Sequence, residues 1–400
     1  MNAEKLEILR PAPYNACMKT ITTNDELVKF CAEVKESGYI TVDTEFLREK
    51  TYWPKLCLIQ IAGAMHSAAI DPLAEGIDLA PVWALLSNKK LLKVFHACRQ
   101  DIEIFYHLTG AMPEPIFDTQ VAAAVCGYGE SVSYETLVNK IVGAELDKSS
   151  RFTDWSARPL SDKQLAYALS DVTHLRLIYD DLKIRIEAAG RERWIESELA
   201  TLTSPALYDP SPRDAWKRLK YGNMRPKHLA ILRELAEWRE SEARKGDVPR
   251  GRILKDEVLV ELASVAPRKE ADLDRLRSLA GGISKSKIVS VLECVERALS
   301  LPQGEWPQVA KHKRQPEHVT GAVAMLSFLL KVKADQHGIA PSLIAGKDDL
   351  EQLALGSTES SLLSGWRYDV FGKKAKAMLE GKLLIALNPK NGKVVFEDRE

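Results

Sequence analysis

The sequence predicts an α/β domain with a mixed sheet, followed by a region built only of helices. Strand-like runs are concentrated between residues 39 and 96, and helical patterns dominate from residue 101 onwards. Strands that come first and helices that follow them favour a sheet flanked by helices. A chain of 400 residues is also too long for one ordinary core, so we expect two or three domains.

Composition places the chain among globular proteins, and we expect it in the cytoplasm. Hydrophobic residues make up 45% and charged residues 28%, and the lack of a run of eighteen apolar residues argues against a membrane span. Residues 1–13 are charged and lack the apolar centre of a signal peptide. The six cysteines are scattered without a C-x-x-C pair, which argues against a zinc site and a disulfide framework.

The net charge of zero conceals an uneven distribution. Residues 1–200 carry 22 Lys and Arg against 29 Asp and Glu, a net charge of −7, and residues 201–400 carry the complementary +7. An acidic first half and a basic second half are compatible with a metal-loaded catalytic domain beside a domain that binds a polyanion. A chance distribution of charge is the alternative explanation.

Capping signals and periodicity predict the elements of the first domain in order. The first helix begins at residues 23–26, which have the form of a capping box, and ends at Gly38. Three strands, a helix and a fourth strand follow, at residues 39–46, 56–62, 68–70, 79–87 and 91–96. The pattern is then mostly helical to about Gly190, and residues 204–212, with three prolines, are the best linker candidate.

Beyond this linker every segment has a helical pattern, and a weak internal repeat appears. Residues 247–263 resemble residues 338–354, which is enough separation for two small helical domains of similar build. A second linker, residues 302–316, carries the basic cluster Lys311-His312-Lys313-Arg314. Such a run either contacts phosphate or is simply solvated.

Two acidic residues on the first long strand are the first candidates for catalysis. Asp43 and Glu45 are two residues apart, so both side chains point to the same face of the sheet. An exposed strand edge of alternating polarity would show the same spacing. A third and a fourth acid later in the chain favour a functional site.

Asp101 and Asp171 supply those further acids. Asp101 follows the strand that ends at His96 and lies in the first turn of a helix, where an acid also stabilises the helix dipole. Asp171 lies on a helix that begins with a second capping box, at residues 161–164. Tyr167 comes four residues before Asp171, so their side chains share one face of that helix.

Four carboxylates in one pocket would repel one another, and divalent cations relieve such repulsion. Oxygen ligands suit Mg²⁺ or Mn²⁺, and two such ions about 3.5–4 Å apart assist in-line phosphoryl displacement. Tyr167 would then orient the attacking water or help to deprotonate it. The sequence therefore predicts a two-metal site at Asp43, Glu45, Asp101 and Asp171.

Taken in order, these motifs resemble those of the DEDD superfamily of 3′-5′ exonucleases. They are Asp43-x-Glu45, Asp101 after His96-Ala97-Cys98, and Tyr167-x-x-x-Asp171, which matches the tyrosine subtype; the histidine subtype would have His in place of Ala166. Residues 43–48, 56–61 and 154–160 are similar to the ribonuclease D family. The resemblance begins near Met18, so Met18 is an alternative start to Met1.

The resemblance implies a ribonuclease H-like exonuclease domain with a mixed sheet, over residues 18–205. It also implies two small all-α HRDC bundles, over residues 212–296 and 317–395, of which the second is divergent. The first HRDC module carries exposed basic residues that are candidates for RNA contact. They are Arg218, Lys220, Arg225 and Lys227.

The family also places the terminal nucleotide between the strand of Asp43 and the helix of Asp171. Phe46, Leu47 and Gln60 would then contact this nucleotide. Arg158 would meet the phosphate on the scissile side.

The activity implied by the resemblance is stepwise hydrolysis of RNA from its 3′ end, with release of nucleoside 5′-monophosphates. Such an enzyme would trim 3′ extensions of tRNA precursors and other small stable RNAs, as a monomer with two Mg²⁺ or Mn²⁺ ions. A DNA 3′-5′ exonuclease of proofreading or Werner type is the alternative, although the chain has neither a polymerase region nor a G-x-x-x-x-G-K-[ST] loop. An RNA-binding scaffold without catalysis is a third hypothesis.

Overall fold

The computed structural model describes residues 20–276, 284–308 and 317–399. The alternative start at Met18 and the basic cluster at residues 311–314 lie outside these ranges. An α/β domain comes first, and two mostly helical units follow. We call residues 212–306 the first helical unit and residues 317–399 the second helical unit, since each has its own hydrophobic core.

A mixed sheet forms the centre of the α/β domain. Its strands are β1 (Thr20–Ile21), β2 (Tyr39–Leu47), β3 (Lys55–Ala62), β4 (Ser67–Ile70), β5 (Leu92–Phe95) and β6 (Ile116–Asp118). Their order is β1-β4-β3-β2-β5-β6, with β2 antiparallel to β3 and parallel to β5. β2 is therefore an interior strand, hydrogen-bonded on both sides.

Helices cover both faces of this sheet. One face shares a core with α1 (Asn24–Lys35), α2 (Ala80–Leu86) and α3 (Arg99–Thr109). The other face packs against a helix of 28 residues and its shorter neighbours. These are α4 (Thr119–Val125), α5 (Tyr134–Leu137) with the π-helical turn Val138–Val142, the long α6 (Asp162–Ala189) and α7 (Glu192–Leu202). The 3-10 turn Pro205–Leu207 lies on the first face, where Leu207 packs against the core of α1 to α3. No helix of the described ranges has both the length and the apolar character that crossing a bilayer requires.

The long elements of this domain follow the predicted order, but two short strands were not predicted. β1 and β6 have two and three residues, too few to show the alternation that marks a strand. The capping box predicted at residues 161–164 is present, with Ser161 and Gln164 bonded reciprocally at 3.0 and 3.3 Å. At the box predicted for residues 23–26, the Thr23 side chain accepts no capping hydrogen bond, and its hydroxyl donates to the Glu26 carboxylate at 3.1 Å.

The first helical unit packs around its longest helix. Leu229, Leu232 and Leu235 on that helix are fully buried, as their helical spacing predicts. The elements are a 3-10 turn (Pro212–Arg218), α8 (Pro226–Lys245), α9 (Arg250–Ile253), α10 (Asp256–Val265), a 3-10 turn (Glu270–Arg275), α11 (Lys285–Ser300) and a 3-10 turn (Gln303–Glu305).

The second helical unit contains a β-hairpin, so the prediction of an all-α bundle is wrong for its last residues. Two apolar runs flank Asn391-Gly392, a dipeptide that favours a tight turn because glycine adopts positive φ, here +67°. The elements are α12 (Glu317–His337), α13 (Pro341–Ile344), α14 (Lys347–Ala354), a 3-10 turn (Ser361–Leu363), α15 (Gly365–Arg367), a π-helical turn (Tyr368–Gly372), α16 (Lys373–Leu379), β7 (Leu383–Leu387) and β8 (Val394–Asp398).

The loop between β2 and β3 joins the α/β domain to the first helical unit, and we call this contact the first joint. The backbone N–H groups of Tyr52 and Trp53 both donate to the Asp247 carboxylate at 3.0 Å. The Tyr52 hydroxyl donates to Glu240 on α8. Trp53 also stacks on His107 of α3, with ring centroids 3.9 Å apart.

Glu240 is the buried charge at the centre of the first joint. It accepts hydrogen bonds from Arg250 at 2.6 and 2.8 Å and from Arg218 at 3.0 Å. Burial alone would raise the pKa of Glu240, but the hydrogen bonds from Arg250 and Tyr52 and the arginine charges lower it to about 2. Arg218, which the sequence suggested as an RNA contact, is therefore a structural partner of Glu240.

The second helical unit contacts the α/β domain through α7, and we call this contact the second joint. Trp194 stacks on Trp366 with ring centroids 4.5 Å apart. Glu198 pairs with Arg367 at 2.8 Å. Each helical unit is thus attached to the α/β domain by its own set of contacts.

We predict that Glu240→Gln destabilises the protein at pH 7 by roughly 3 kcal/mol, because Arg218 and Arg250 lose their buried counter-charge. The contribution of Glu240 is complete above its ordinary pKa of 4.5 and is lost as the pH falls toward about 2. Urea unfolding of both proteins between pH 7 and pH 3 should therefore show a difference that shrinks with falling pH.

The control for this comparison is Asp214→Asn, which removes an exposed pair with Lys217. Exposed pairs contribute little, so this variant should unfold like the wild type. A Glu240→Gln difference that is as large at pH 3 as at pH 7 would contradict the ionised pair.

Candidate active site

Three carboxylates converge between the central strand and the long helix. Asp43 and Glu45 come from β2, and Asp171 comes from α6. One oxygen of each side chain lies within 4.8 Å of the others. The two-residue spacing on β2 turns both acids toward the helix that crosses it. We call Asp43, Glu45 and Asp171 the acidic group.

Asp101 adjoins the acidic group rather than belonging to it. Its carboxylate is buried in the first turn of α3 and accepts a hydrogen bond from the Thr44 hydroxyl of β2. Burial and then the charge of Asp43 raise the pKa of Asp101 well above its ordinary range. The structure therefore brings three of the four predicted ligands into one group and places the fourth beside it.

The turn that carries Asp101 is fixed by a further acid, Asp118. The backbone N–H groups of Ala97 and Cys98 donate to the Asp118 carboxylate at 3.2 and 2.8 Å. Ala97 has a φ of +57°, a left-handed conformation that is unfavourable for alanine and must be held by its surroundings. The same carboxylate caps α4 by accepting from the N–H of Gln120 at 2.7 Å.

Two tyrosines lie beside Asp171. The Tyr134 hydroxyl donates to the backbone carbonyls of Asp171 at 2.7 Å and Ser170 at 3.1 Å, which fixes this turn of α6. Tyr167 lies one turn earlier on the same helix and lines the same cleft. Burial and then the charge of Asp171 raise the pKa of Tyr167, so its phenol stays protonated at neutral pH.

Burial, more than any neighbouring charge, raises the pKa values of the acidic group. Burial raises the pKa of Asp43 to about 6. Burial, followed by the charges of Asp43 and Asp171, raises the pKa of Glu45 to about 10. The pKa of Asp171 is also well above its ordinary range, through burial and then the charge of Asp43. Carboxylates in this condition favour a bound cation.

A cleft of about 270 Å³ gives access to the acidic group. Asp43, Asp171 and Tyr167 line it, together with the basic side chains Lys148 and Arg151. The positive charge of Arg151 lowers the pKa values of Glu45 and Asp171, although less than burial raises them. The cleft therefore combines carboxylates with basic side chains that attract anions.

Comparison with known proteins assigns this arrangement to a family. A 3′-5′ exonuclease model matches residues 18–187, and an HRDC domain model matches residues 228–292. Ribonuclease D of Bartonella henselae is 46% identical over 384 residues, which cover 95% of this chain and 94% of that protein. The chain belongs to the ribonuclease D family. Ribonuclease D of Jannaschia sp. is also 46% identical, over 94% of this chain and 99% of that protein.

Solved structures agree with this assignment to the ribonuclease D family. The crystal structure of Escherichia coli RNase D, described as an exoribonuclease involved in structured RNA processing, matches with a TM-score of 0.80 and 32% identity. The match covers 91% of this chain and 98% of that chain. The catalytic core of RRP6 from Trypanosoma brucei, 20% identical with a TM-score of 0.54, shares the fold. The chain is therefore a 3′-5′ exoribonuclease whose substrate is RNA.

The ribonuclease D family implies divalent metal ions, and the acidic group fits them. Its donors are all carboxylate oxygens, which suit hard divalent cations. Asp171 is buried and Asp43 and Glu45 are partly buried, and cations would remove the repulsion among them.

Arg158, which the sequence predicts as a phosphate contact, forms hydrogen bonds with other residues of the chain. Its Nε and Nη2 each donate to Asp71 at 2.6 Å. Nη1 donates to the carbonyls of Trp155 and Ala157 at 2.8 Å, and Nη2 also donates to the Cys57 carbonyl at 2.7 Å. With its guanidinium engaged in this way, Arg158 fastens its loop to the sheet, and its contact with phosphate stays a prediction.

The other three predicted nucleotide contacts have different placements. Leu47 packs beside Tyr167 on the face of the acidic group. Phe46 packs on the opposite face, against the core under α1 to α3, so the structure does not bring it to the acidic group. Gln60 pairs across the sheet with Asp43 and is fully buried, and its amide atoms have no hydrogen-bond partner within the described ranges. An unpaired buried amide is costly, which keeps Gln60 a candidate for contact with a bound group.

Three residues that hold the site were not predicted from the sequence. Thr44 bonds to Asp101, Tyr134 bonds to the backbone of α6, and Asp118 fixes the turn before α3. Asp118 had a usable signal, because Asp-Thr before an apolar helical run has the form of an N-cap. The other two contacts join positions 37 or more residues apart, which no local pattern reveals.

We predict that Asp171→Asn stabilises the metal-free protein by about 1–2 kcal/mol, because it removes a buried charge that its neighbours repel. The raised pKa of Asp171 leads to the same expectation. At pH values above its ordinary pKa of 3.8, the cost of ionising Asp171 in the folded state lowers the free energy of unfolding. Thermal unfolding in the presence of a chelator measures the effect.

Added Mg²⁺ or Mn²⁺ should raise the melting temperature of the wild type and raise that of Asp171→Asn much less. Asp162→Asn, at the exposed start of the same helix, is the matched control and should keep the full metal response. Equal metal responses in wild type and Asp171→Asn would argue against metal binding at the acidic group.

Proposed function

We propose that this member of the ribonuclease D family removes nucleotides one at a time from RNA 3′ ends and releases nucleoside 5′-monophosphates. The acidic group carries the proposal, with three carboxylates within 4.8 Å and Asp101 beside them. We propose that Asp43, Glu45, Asp101 and Asp171 together hold two divalent ions, Mg²⁺ or Mn²⁺. Such ions, when bound, supply Lewis-acid activation of water and compensation of phosphate charge.

The chain's own residues supply positioning. Tyr167 keeps its proton at neutral pH, so its phenol acts as a hydrogen-bonding group that orients the attacking water rather than as a phenolate base. Tyr134 and Thr44 hold Asp171 and Asp101 in place through the bonds described above. Arg151 brings positive charge to the cleft, where it attracts the phosphate backbone.

We propose tRNA precursors with 3′ extensions, and other small stable RNAs, as natural substrates. Support comes from the E. coli relative, whose structure is described as that of an exoribonuclease involved in structured RNA processing. The five described cysteines are free thiols, as in a reducing compartment, and we propose that the enzyme acts as a cytoplasmic monomer.

The domain limits are part of the proposal. We assign residues 18–205 to the exonuclease domain, residues 212–296 to one HRDC domain and residues 317–395 to a second, divergent one. The HRDC match at residues 228–292 supports the first of these two, and the separate core of the second helical unit supports the other. Lys220, Arg225 and Lys227 are exposed on the first HRDC domain, and we propose that they contact RNA phosphates.

We predict that Asp43→Ala lowers the rate of RNA hydrolysis by about 10³-fold or more, because the variant lacks an essential carboxylate while the fold persists. Tyr167→Phe should lose about 10²-fold but keep its metal-induced thermal shift, because the phenol acts on water. Single-turnover hydrolysis of a 3′-labelled oligoribonucleotide gives the rates, and Asp162→Ala is the matched control.

Oligonucleotides of identical sequence in RNA and DNA form extend the same assay. We expect faster hydrolysis of the RNA, and equal rates would favour the DNA exonuclease alternative. Unchanged RNA hydrolysis by Asp43→Ala would refute the assigned site. A wild type with no hydrolysis at any metal concentration would favour the scaffold hypothesis.

We predict that a tRNA carrying a 3′ extension is shortened in single-nucleotide steps with Mg²⁺ or Mn²⁺ and is not shortened with chelator. Reversing the charge of Lys220, Arg225 and Lys227 together should weaken tRNA binding. It should also reduce the slope of log binding constant against log salt concentration, by roughly one unit for each phosphate that the variant no longer neutralises. Binding titrations at several salt concentrations measure both.

Lys29→Glu, at an exposed position on α1 of the exonuclease domain, is the control for a change of charge alone. It should leave the salt dependence of tRNA binding as in the wild type. If the triple reversal also leaves it unchanged, these bases do not contact RNA.

A further inference from the structure

Phe152 is an aromatic side chain left in solvent beside the active site. It is 90% exposed, more than any other large hydrophobic side chain in the described ranges. Its chain neighbour Arg151 lines the cleft of the acidic group. A single exposed apolar side chain is common on protein surfaces, so exposure alone assigns nothing. The hydrogen bonds that hold its loop and the charged side chain next to it indicate a role for Phe152.

The loop that carries Phe152 is fastened to the domain. Thr153 donates from its hydroxyl to the carbonyl of Ser150 at 2.8 Å and accepts from the Gln164 amide of α6 at 3.1 Å. Trp155 is buried in the core beneath α6, and Arg158 is bonded as described above. Because the residues after Phe152 are fastened and Ser150 before it is buried, the backbone presents the ring in a limited range of positions. Such presentation lowers the entropy cost of stacking on a ligand.

Arg151 links the ring to the acidic group. Its guanidinium carbon lies 5.2 Å from the centre of the Phe152 ring. The same side chain lines the cleft together with Asp43 and Asp171. An aromatic ring beside an arginine, next to a group that hydrolyses phosphodiesters, has the composition of a single-strand binding surface, where bases stack and phosphates meet positive charge.

We propose that Phe152 stacks on a base of the RNA strand upstream of the terminal nucleotide, while Arg151 contacts the phosphate backbone beside it. This inference rests on the proposed function and adds a substrate contact to it. Stacking on an aromatic ring tolerates every base, as an exonuclease that removes nucleotides in turn requires. It also requires an unpaired base, so the contact would select 3′ ends with a single-stranded stretch over ends closed in a duplex.

A double-mutant cycle between protein and RNA tests the contact in the full chain. Oligoribonucleotides carry one abasic site at the second, third or fourth position from the 3′ end, and hydrolysis of each is measured with wild type and Phe152→Ala. For wild type, we expect an abasic site at one of these positions to lower kcat/KM by about tenfold, the size of one base stack. For Phe152→Ala, kcat/KM on intact RNA should fall by a similar factor, mainly through KM, and the abasic site should then have little further effect.

Two variants separate stacking from size and hydrophobicity. Phe152→Trp should restore the sensitivity to the abasic site, and Phe152→Leu should not. Met65→Ala, at an 81% exposed position in the turn between β3 and β4, is the control and should leave that sensitivity as in the wild type. Because Phe152 is exposed, its variants should unfold like the wild type, which thermal unfolding checks.

The outcomes distinguish this inference from the proposed function. If Phe152→Ala and each abasic site lower kcat/KM by independent factors, or if Phe152→Leu behaves as Phe152→Trp, the stacking contact is overturned while the exonuclease stands. If wild type fails to hydrolyse the intact RNA, the proposed function fails first.

Discussion

Mutual repulsion among buried carboxylates is the constraint on which the exonuclease domain depends. The folded chain holds three of them within 4.8 Å, with Asp101 beside them, although ionised carboxylates in such a place destabilise the fold. The interior position of β2 makes this possible, because a strand bonded on both sides cannot turn its acids away. Thr44, Tyr134 and Asp118 then fix the elements that carry the remaining acids. The carboxylates lower the stability of the fold, and the residues that fix their elements offset this cost, as is common where function requires strain.

The parts of the site that follow regular periodicity were predictable from the sequence. Alternation along a strand placed Asp43 and Glu45 together, and the helical repeat placed Tyr167 beside Asp171. What the sequence did not indicate depends on three-dimensional neighbours. The hydrogen bond from Thr44 that holds Asp101 beside the acidic group joins residues far apart in the sequence. β1 and β6 were missed because a strand of two or three residues has no period.

Basic residues show a related limit of sequence reasoning. A positive charge near a nuclease motif suggests phosphate binding, but the sequence does not reveal which donors are already in use. Arg158 uses its guanidinium on Asp71 and three carbonyls, and Arg218 pairs with Glu240. The excess positive charge of residues 201–400 is thus partly internal to the fold. The contacts of each base, rather than its exposure, identify the structural ones, because Arg218 is exposed, as are Lys220 and Arg225.

The two joints determine how the molecule responds when one of them opens. The Tyr52–Glu240 contact and the Trp194–Trp366 contact involve different helical units and different parts of the α/β domain. A single chain connects all of these parts, so a separated surface stays tethered close to its partner. Its effective concentration there is far above that of any competing molecule in solution. Reclosure is therefore intramolecular, and opening of one joint is a local change rather than a dissociation of domains.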